Sequence, residues 1–324
     1  MSRLSMYNYY IKMLMILVSI VVIILTVILP RILIKLSVKM YDSDVRMDDK
    51  VVIITGANTG IGYATAEELA RRGAKVILAC RDPQKGEAAR EKLLQSTGNE
   101  NITFKQLDLS SFKSVQNFAD DILHGETKLD VLINNAGTGI LDNSLTKNGL
   151  PIEAQVNHFS PFLLTMLLLP LLKSSAPSRI INVSSIMHHL GTTELLDKQG
   201  RTTLQRRRAY SNTKLANILF TRKLSKLLQG TGVSVNSLHP GAVNSDIFRN
   251  QYSIVRFLFK IMLLTPRQGA QTSIYLAVAP ELDSVSGKYF SNCTEVTPAK
   301  KAQDDEAAEK LWELSESYAF RDHS

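Results

Sequence analysis

Two residues, Tyr210 and Lys214, have the types and the spacing that proton transfer requires. They are four positions apart, and the apolar residues Leu215, Ile218 and Leu219 continue a helical pattern, so both side chains project from one helix face. A tyrosine phenol, with an ordinary pKa of about 10, is a poor acid or base at neutral pH. A positive charge within about 4–6 Å favours the phenolate. The pair predicts a proton-transferring tyrosine, although a Tyr and a Lys at this spacing are common on ordinary surface helices.

A second chemical feature is a glycine-rich loop that follows an apolar run. Residues 51–54 are uniformly apolar and β-branched, which is typical of a strand in a parallel sheet covered on both faces. Gly56, Gly60 and Gly62 follow with the spacing Gly-x3-Gly-x-Gly, and a helical pattern resumes at Tyr63. Glycines in such a turn let backbone N–H groups approach a pyrophosphate at the positive end of a helix. The loop therefore predicts a dinucleotide site, with an ordinary tight turn as the alternative.

The elements that must position these residues alternate along the chain. Apolar runs typical of strands are separated by helical patterns, and after residue 45 no linker or internal repeat divides the chain. The predicted strands are residues 51–54, 74–79, 102–107, 130–133, 179–185, 232–238 and 287–290. The pattern predicts a single α/β domain with a doubly wound, seven-stranded parallel sheet.

Three motifs in order give the chain a family resemblance. They are Thr55-Gly56-Ala57-Asn58-Thr59-Gly60-Ile61-Gly62, Asn134-Asn135-Ala136-Gly137 and Tyr210-Ser211-Asn212-Thr213-Lys214. Through them the sequence resembles the short-chain dehydrogenase/reductase superfamily. It is similar within that superfamily to the membrane-bound, NADP-dependent retinol dehydrogenases, through residues 78–82, 178–185, 188–191 and 214–220. The resemblance runs from about residue 49 to about residue 312.

The resemblance implies a Rossmann fold and hydride transfer between a nicotinamide and a hydrophobic alcohol or carbonyl, with retinol or retinal favoured. Steroid or lipid-derived carbonyls are the enzymatic alternative. A membrane-tethered, non-catalytic NADPH-binding scaffold is the alternative of another class, because a fold does not fix function. The intact Ser185, Tyr210 and Lys214 argue against the scaffold. An oligomer of identical chains is left open.

Four residues take catalytic roles by this resemblance: Asn157, Ser185, Tyr210 and Lys214. Ser185 would hydrogen-bond the reacting oxygen of the substrate and hold it beside Tyr210. Ser184 is the alternative by one position, although neighbouring side chains in a strand point in opposite directions. Asn157 would hold a water that relays protons to Lys214, whereas from the residues alone it is an ordinary helical asparagine.

The cofactor is predicted at the end of the second strand, where neutral Cys80 is followed by Arg81. A guanidinium pairs with a 2′-phosphate, which favours NADP(H), and the alternative is that Asp82 binds the ribose of NAD. Asp108 is either an adenine contact or the N-cap of the next helix. The full set assigned to the cofactor is Gly56, Asn58, Thr59, Gly60, Ile61, Gly62, Arg81, Asp108, Asn135, Ala136, Gly137, Tyr210, Lys214, Pro240 and Gly241.

Residues 1–45 are predicted to be a membrane anchor with a juxtamembrane segment, and residues 46–324 the Rossmann domain. Residues 13–29 carry no charge, and these 17 residues are at the short end of the roughly 17–25 that span a bilayer. No small-residue cleavage site marks a signal peptide. Arg31, Lys35 and Lys39 after the run outnumber Arg3 and Lys12 before it, so the domain is expected in the cytosol. The resemblance implies the endoplasmic reticulum membrane.

The charge and the cysteine content limit the binding partners and the cellular compartment that we expect. The formal charge of +8 comes from basic residues that are scattered or adjoin the apolar N-terminus, so a membrane surface or an anionic cofactor explains it better than nucleic acid does. Two cysteines, Cys80 and Cys293, are too few for a disulfide framework and indicate a reducing compartment.

Two further stretches have more than one interpretation. His188 and His189 have no partner at metal-like spacing, so we expect them to line the loop after the fifth strand and predict no metal. Residues 254–264 are apolar with two basic residues and are predicted to form a substrate lid that either touches the membrane interface or packs on the core.

Overall fold

A computed structural model of the protein describes residues 3–139, 144–196, 203–243 and 263–320. Within these residues eight strands form one sheet in the order β3-β2-β1-β4-β5-β6-β7-β8. The strands are β1 (Val51–Thr55), β2 (Lys75–Cys80), β3 (Ile102–Gln106), β4 (Val131–Asn134), β5 (Ser178–Val183), β6 (Val233–His239), β7 (Tyr289–Ser291) and β8 (Thr294–Glu295). All pairs among the first seven are parallel, and β8 pairs antiparallel with β7. The predicted doubly wound parallel sheet is confirmed, with one short strand added at its edge.

Helices cover both faces of this sheet. The helices α1 (Arg3–Ile23) and α2 (Leu29–Leu36) precede the sheet, and those that follow along the chain are α3 (Gly60–Arg71), α4 (Pro83–Thr97), α5 (Phe112–Gly125), α6 (Ile152–Ala154), α7 (Ser160–Ser174), α8 (Thr203–Leu227), α9 (Pro266–Val278) and α10 (Asp305–Ala319). Successive residues of β1 enter two different cores: Val51 and Ile53 face α5, α7 and α8, whereas Val52 and Ile54 face α3, α4 and α9. Burial on both faces explains the uninterrupted apolar run of this strand.

The carboxyl ends of the parallel strands share one edge of the sheet. The strand order changes direction between β1 and β4, and ligands of doubly wound sheets bind at such a point. The glycine loop leaves β1 there, and the segment 135–137 leaves β4 beside it. Ser184 and Ser185 follow β5, and Pro240 and Gly241 follow β6. The topology therefore brings all four predicted segments to the same edge.

The N-terminal helix lies outside this core. The stretch Met6–Thr26 is long and apolar enough to cross a membrane, and no part of it is buried in the protein. A second helical stretch of sufficient length, Ile152–Ser174, is mostly buried and belongs to the core. A π-helical turn, Ile24–Ile28, joins α1 to α2 just before Pro30, which has no N–H for the regular helical ladder.

Candidate active site

The glycine loop has the backbone shape that the sequence predicted. Gly56 and Gly60 have positive φ angles of 66° and 61°, which side chains other than glycine rarely adopt. Gly62 is required for a different reason: a Cβ there would lie 2.5 Å from Asn135 Nδ2 and 2.6 Å from the Gly56 carbonyl oxygen. Asn58, Thr59 and Ile61 complete the turn into α3. The loop thus delivers the N-terminus of α3 to the switch point, in a form that fits a pyrophosphate.

Thr55, the last residue of β1, fixes the neighbouring loop and was not among the predicted site residues. Its hydroxyl accepts hydrogen bonds from the backbone N–H groups of Asn135 (3.0 Å) and Ala136 (2.9 Å). The Asn135 side chain returns a hydrogen bond to the Thr55 carbonyl at 2.8 Å. A hydroxyl at the buried end of an otherwise aliphatic strand was the available sequence signal.

The two serines after β5 are distinguished by their partners. The Ser184 hydroxyl is buried and donates to the Lys214 carbonyl at 2.6 Å, which ties the end of β5 to α8. The Ser185 hydroxyl accepts from the Met187 N–H at 3.2 Å, and its proximity to Tyr210 lowers the pKa of that phenol. Because strand neighbours point in opposite directions, only Ser185 faces the tyrosine.

Tyr210 and Lys214 lie on one face of α8, as the spacing predicted. The Lys214 ammonium nitrogen is 5.5 Å from the centre of the Tyr210 ring and donates to the Val183 carbonyl at 3.0 Å. Burial lowers the pKa of Lys214 to about 8, so the side chain is still mainly protonated at neutral pH. Burial raises the pKa of Tyr210, and the hydrogen bond with Ser185 opposes this effect. In the protein by itself, burial therefore outweighs the influences that favour the phenolate.

Asn157 is not an ordinary helical asparagine, because it lies in a π-helical turn, Gln155–Phe159, between α6 and α7. Its Oδ1 accepts from the Thr138 N–H at 2.7 Å, and its Nδ2 donates to the Thr138 carbonyl at 2.8 Å and to the Thr213 hydroxyl at 3.0 Å. A Cβ on Gly137 would lie 3.4 Å from Lys214 Nζ and 3.5 Å from Asn157 Oδ1. Such π turns are frequent at functional sites, and this one brings Asn157 beside Lys214.

The end of β2 carries the two residues on which the cofactor alternatives depend. The Arg81 side chain is exposed directly after the strand. Asp82 is engaged as the N-cap of α4, since its carboxylate accepts from the Lys85 N–H at 3.1 Å and pairs with Lys85 Nζ at 2.9 Å. The Asp82 carboxylate is thus bound by the first turn of α4, and Arg81 is the side chain that faces outward.

Asp108 follows β3, and its predicted alternative role as an N-cap is wrong. The cap of α5 is Ser111, whose hydroxyl accepts from the Ser114 N–H at 3.3 Å. Asp108 Oδ1 instead accepts from the N–H and the hydroxyl of Ser110, at 2.9 and 2.7 Å. Asp108 therefore shapes the loop at the edge of the site.

The loop after β6 is held by the chain that returns to α9. Gly241 has a φ of 84°, and a Cβ there would lie 2.5 Å from the Leu264 side chain. The Leu264 N–H donates to the Ala242 carbonyl at 2.8 Å, and Pro240 lies between this turn and β6. Of the predicted lid, residues 254–262 lie outside the described residues.

His188 has a structural partner on each side of its ring. Nε2 accepts from the Ala299 N–H at 3.0 Å, which leaves the proton on Nδ1, and Nδ1 lies 2.7 Å from the Ser185 carbonyl that it can donate to. Burial lowers the pKa of His188, so the neutral form is favoured. The residue holds the loop that carries Ser185.

Comparison with known proteins identifies the family. The sequence matches the short chain dehydrogenase family over residues 50–254. The chain belongs to this family. It is 47% identical over 275 residues to retinol dehydrogenase 12 of Mus musculus, covering 84% of this chain and 87% of that relative. Membership makes the protein an oxidoreductase on a fold that holds a nicotinamide cofactor.

Solved structures with a similar fold also match the chain. A crystal structure of a putative uncharacterized protein from Mycobacterium paratuberculosis is 32% identical, with a TM-score of 0.69, and the match covers 87% of this chain and 98% of that one. A putative short chain dehydrogenase from Escherichia coli, crystallised with NADPH, is 25% identical with a TM-score of 0.62, over 78% of this chain and 99% of that one.

Proposed function

We propose that the protein is a membrane-anchored, NADP(H)-dependent oxidoreductase that transfers a hydride between the nicotinamide and a hydrophobic alcohol or carbonyl, with retinol or retinal as substrate. The observation that carries the proposal is the cluster of Ser185, Tyr210 and Lys214 at the carboxyl edge of the sheet. The name of the relative from Mus musculus supports the choice of a retinoid.

Tyr210 is the proton-transferring residue in this proposal. In the reductive direction its phenol gives a proton to the substrate oxygen, while bound NADPH supplies the hydride to the carbonyl carbon. The Ser185 hydroxyl, which lies beside Tyr210 and lowers the pKa of its phenol, would orient the same oxygen. Protonated Lys214 lowers the cost of the phenolate that this step leaves behind. Lys214 would then pass a proton to the phenolate, and a water held near Asn157, which binds the backbone of Thr138 beside Lys214, would return one from solvent to the lysine.

The glycine loop would hold the pyrophosphate of the cofactor, and Arg81 its 2′-phosphate. The commitment of Asp82 to the cap of α4 supports NADP(H) over NAD(H), as does the NADPH bound in the solved structure from Escherichia coli. Asp108 would contact the adenine end, and Asn135, Ala136 and Gly137 the nicotinamide ribose. Pro240, Gly241, Tyr210 and Lys214 would hold the nicotinamide end of the cofactor.

The helix α1 would anchor the protein in the endoplasmic reticulum membrane with the domain in the cytosol. The supporting observations are the exposure of the apolar stretch Met6–Thr26, as far as its side chains are described, and the basic residues that follow it. Protease added to intact microsomes should digest the domain. Protection that lasts until detergent is added would place the domain in the lumen.

The proposed activity is tested by measuring NADPH oxidation by the purified full-length protein with retinal, steroid ketones and medium-chain aldehydes. Retinal should give the highest kcat/KM. A higher kcat/KM for a steroid or an aldehyde would show that this compound, and not the retinoid, is the preferred substrate. Tight NADPH binding without turnover of any of them would identify a cofactor-binding scaffold instead.

A further inference from the structure

The segment between the anchor helix and the domain is docked on the domain rather than free. We name residues 37–45 the juxtamembrane strap. Asn292, in the tight turn between β7 and β8, binds it twice: Nδ2 donates to the Ser37 carbonyl at 3.2 Å, and Oδ1 accepts from the Lys39 N–H at 2.8 Å. Lys39 Nζ donates to the Thr294 hydroxyl at 2.8 Å. One turn of the sheet therefore holds the beginning of the strap.

The helix α9 holds the anchor end and the middle of the strap. Gln268 Nε2 donates to the Lys35 carbonyl, in the last turn of α2, at 3.2 Å. Farther along, Gln271 Oε1 accepts from the Tyr41 N–H at 2.8 Å, and the Tyr41 ring packs edge-on against Tyr275 with the ring centres 5.1 Å apart. The end of the strap is held by Arg72, whose Nη1 donates to the carbonyls of Ser43 (2.7 Å) and Val45 (2.9 Å).

The part of this docking site that is formed by Asn292 lies at the same edge of the sheet as the candidate active site. Ser291 of β7 is the register partner of His239 of β6, so Asn292 and Pro240 each follow one member of this pair. β5, which leads to Ser185, is two strands away from β7, or about 10 Å at the usual strand spacing. Asn292 therefore binds the strap close to the mouth of the site.

The connection to the anchor is short. Leu36, the last residue of α2, and Lys39 are three residue steps apart, which span at most about 11 Å. Gln268 also belongs to the capping box with Thr265, and Leu264 just before it packs against Gly241. Three basic residues lie in the segments that meet at this junction: Lys35, Lys39 and Arg267. Basic side chains next to a membrane anchor are attracted to anionic lipid headgroups.

We propose that the juxtamembrane strap fixes the orientation of the domain, with the carboxyl edge of the sheet toward the bilayer, so that a lipid-dissolved substrate enters the site directly from the membrane. The partner surface is the lipid headgroup layer next to the anchor. This inference rests on the proposed membrane anchorage and hydrophobic substrate. It adds that the strap contacts of Asn292 and Gln268, which touch no reacting atom, determine access to the site.

Orientation is measured without turnover. The full-length protein, with Cys293→Ser in every sample, is placed in vesicles of phosphatidylcholine and phosphatidylserine that contain a brominated lipid. A fluorophore is attached at Lys300→Cys, near the carboxyl edge beside Ala299, or at Asn101→Cys, at the amino edge before β3. Bromine should quench the label at position 300 several-fold more strongly than the label at position 101. Equal quenching of the two labels would overturn the proposal.

The strap is then loosened by the double substitution Asn292→Ala and Gln268→Ala, which should remove this difference in quenching. Asn99→Ala is the matched control, because its side chain also donates to two backbone carbonyls, Ala70 (2.8 Å) and Ala74 (2.9 Å), but at the amino edge. The control should keep the difference. A difference that persists in the double variant would show that the strap does not set the orientation.

Substrate entry is tested in the same vesicles with two aldehydes. The double variant should lose about fivefold or more in kcat/KM for vesicle-dissolved retinal and stay within twofold of the wild type for a short, water-soluble aldehyde. Equal losses for both aldehydes, or no loss for either, would overturn the proposed entry path. A wild-type protein that shows the quenching difference but reduces neither aldehyde would contradict the proposed enzymatic function while upholding the orientation.

Discussion

The Lys214 ammonium nitrogen lies 5.5 Å from the centre of the Tyr210 ring and within hydrogen-bond distance, 3.0 Å, of the Val183 carbonyl oxygen. Only 3% of Lys214 is exposed, and among the residues that the structure describes its ammonium pairs with a backbone carbonyl oxygen and with no carboxylate. Burying a cation in this way opposes folding. The positive charge beside the tyrosine therefore lowers the free energy of unfolding of the protein.

Lys214→Met should stabilise the protein at pH 7 while it abolishes turnover. The pKa of Lys214 is lowered from 10.5 to about 8, and a shift of that size corresponds to about 3 kcal/mol at most, before the lost hydrogen bond to Val183 is subtracted. Between these two pKa values the unfolded chain binds more protons than the native protein, so wild-type stability rises with pH there. The advantage of the variant should shrink from pH 8 toward pH 10.5.

Urea unfolding of Lys214→Met and the wild type across this pH range measures the effect. Lys92→Met, at an exposed position of α4, is the control and should change stability by less than about 0.5 kcal/mol at every pH. A Lys214→Met protein less stable than wild type at pH 7 would show that the buried lysine contributes to folding instead of opposing it.

Thr55→Val should destabilise the protein and weaken the cofactor together. The substitution keeps the shape of the side chain but leaves the N–H groups of Asn135 and Ala136 without their acceptor, at a cost of about 1–3 kcal/mol. Thr55→Ser retains the hydroxyl and should preserve NADPH affinity. Thermal unfolding and NADPH titration of both variants check this. Equal NADPH affinity in the valine and serine variants would exclude Thr55 from positioning the loop.

Arg81→Asp should discriminate between the two cofactors. It replaces the side chain proposed to pair with the 2′-phosphate by a like charge, and a charge-assisted hydrogen bond of about 1.5–3 kcal/mol corresponds to roughly 10- to 100-fold in affinity. NADPH should bind at least tenfold more weakly, with NADH within about twofold. Fluorescence titration with both cofactors measures the change. Equal losses for NADPH and NADH would contradict the assignment of Arg81.

Local patterns were sufficient to predict the seven parallel strands of the sheet. The uninterrupted apolar runs, such as Val51–Thr55, are buried on both faces, and the parallel order of seven strands follows from the helices between them. β8 was not predicted, because two exposed residues, Thr294 and Glu295, carry no periodicity. Their pairing depends on the turn at Asn292 and Cys293, which both adopt positive φ angles of 50° and 54°.

Site residues could be predicted where their spacing along a strand or helix fixes the direction of their side chains. Contacts between residues far apart in the sequence could not be predicted. The strand alternation separated Ser185 from Ser184, and the helical spacing placed Lys214 beside Tyr210. The partnership of Thr55 with the loop after β4 joins residues about 80 positions apart, which no local pattern encodes. The contact of Lys39 with Asn292 spans 253 positions and was missed for the same reason.

The most direct test of the proposed mechanism is Tyr210→Phe, assayed with NADPH and the best substrate of the wild-type protein. The change keeps the ring, deletes only the hydroxyl that carries the transferable proton and leaves Lys214, which is proposed to contact the cofactor, in place. A positioned acid–base group supplies about 10²–10⁴ in rate, so kcat should fall at least 100-fold while the Kd for NADPH stays within about twofold. A variant that keeps more than roughly a tenth of the wild-type kcat would show that Tyr210 does not transfer the proton.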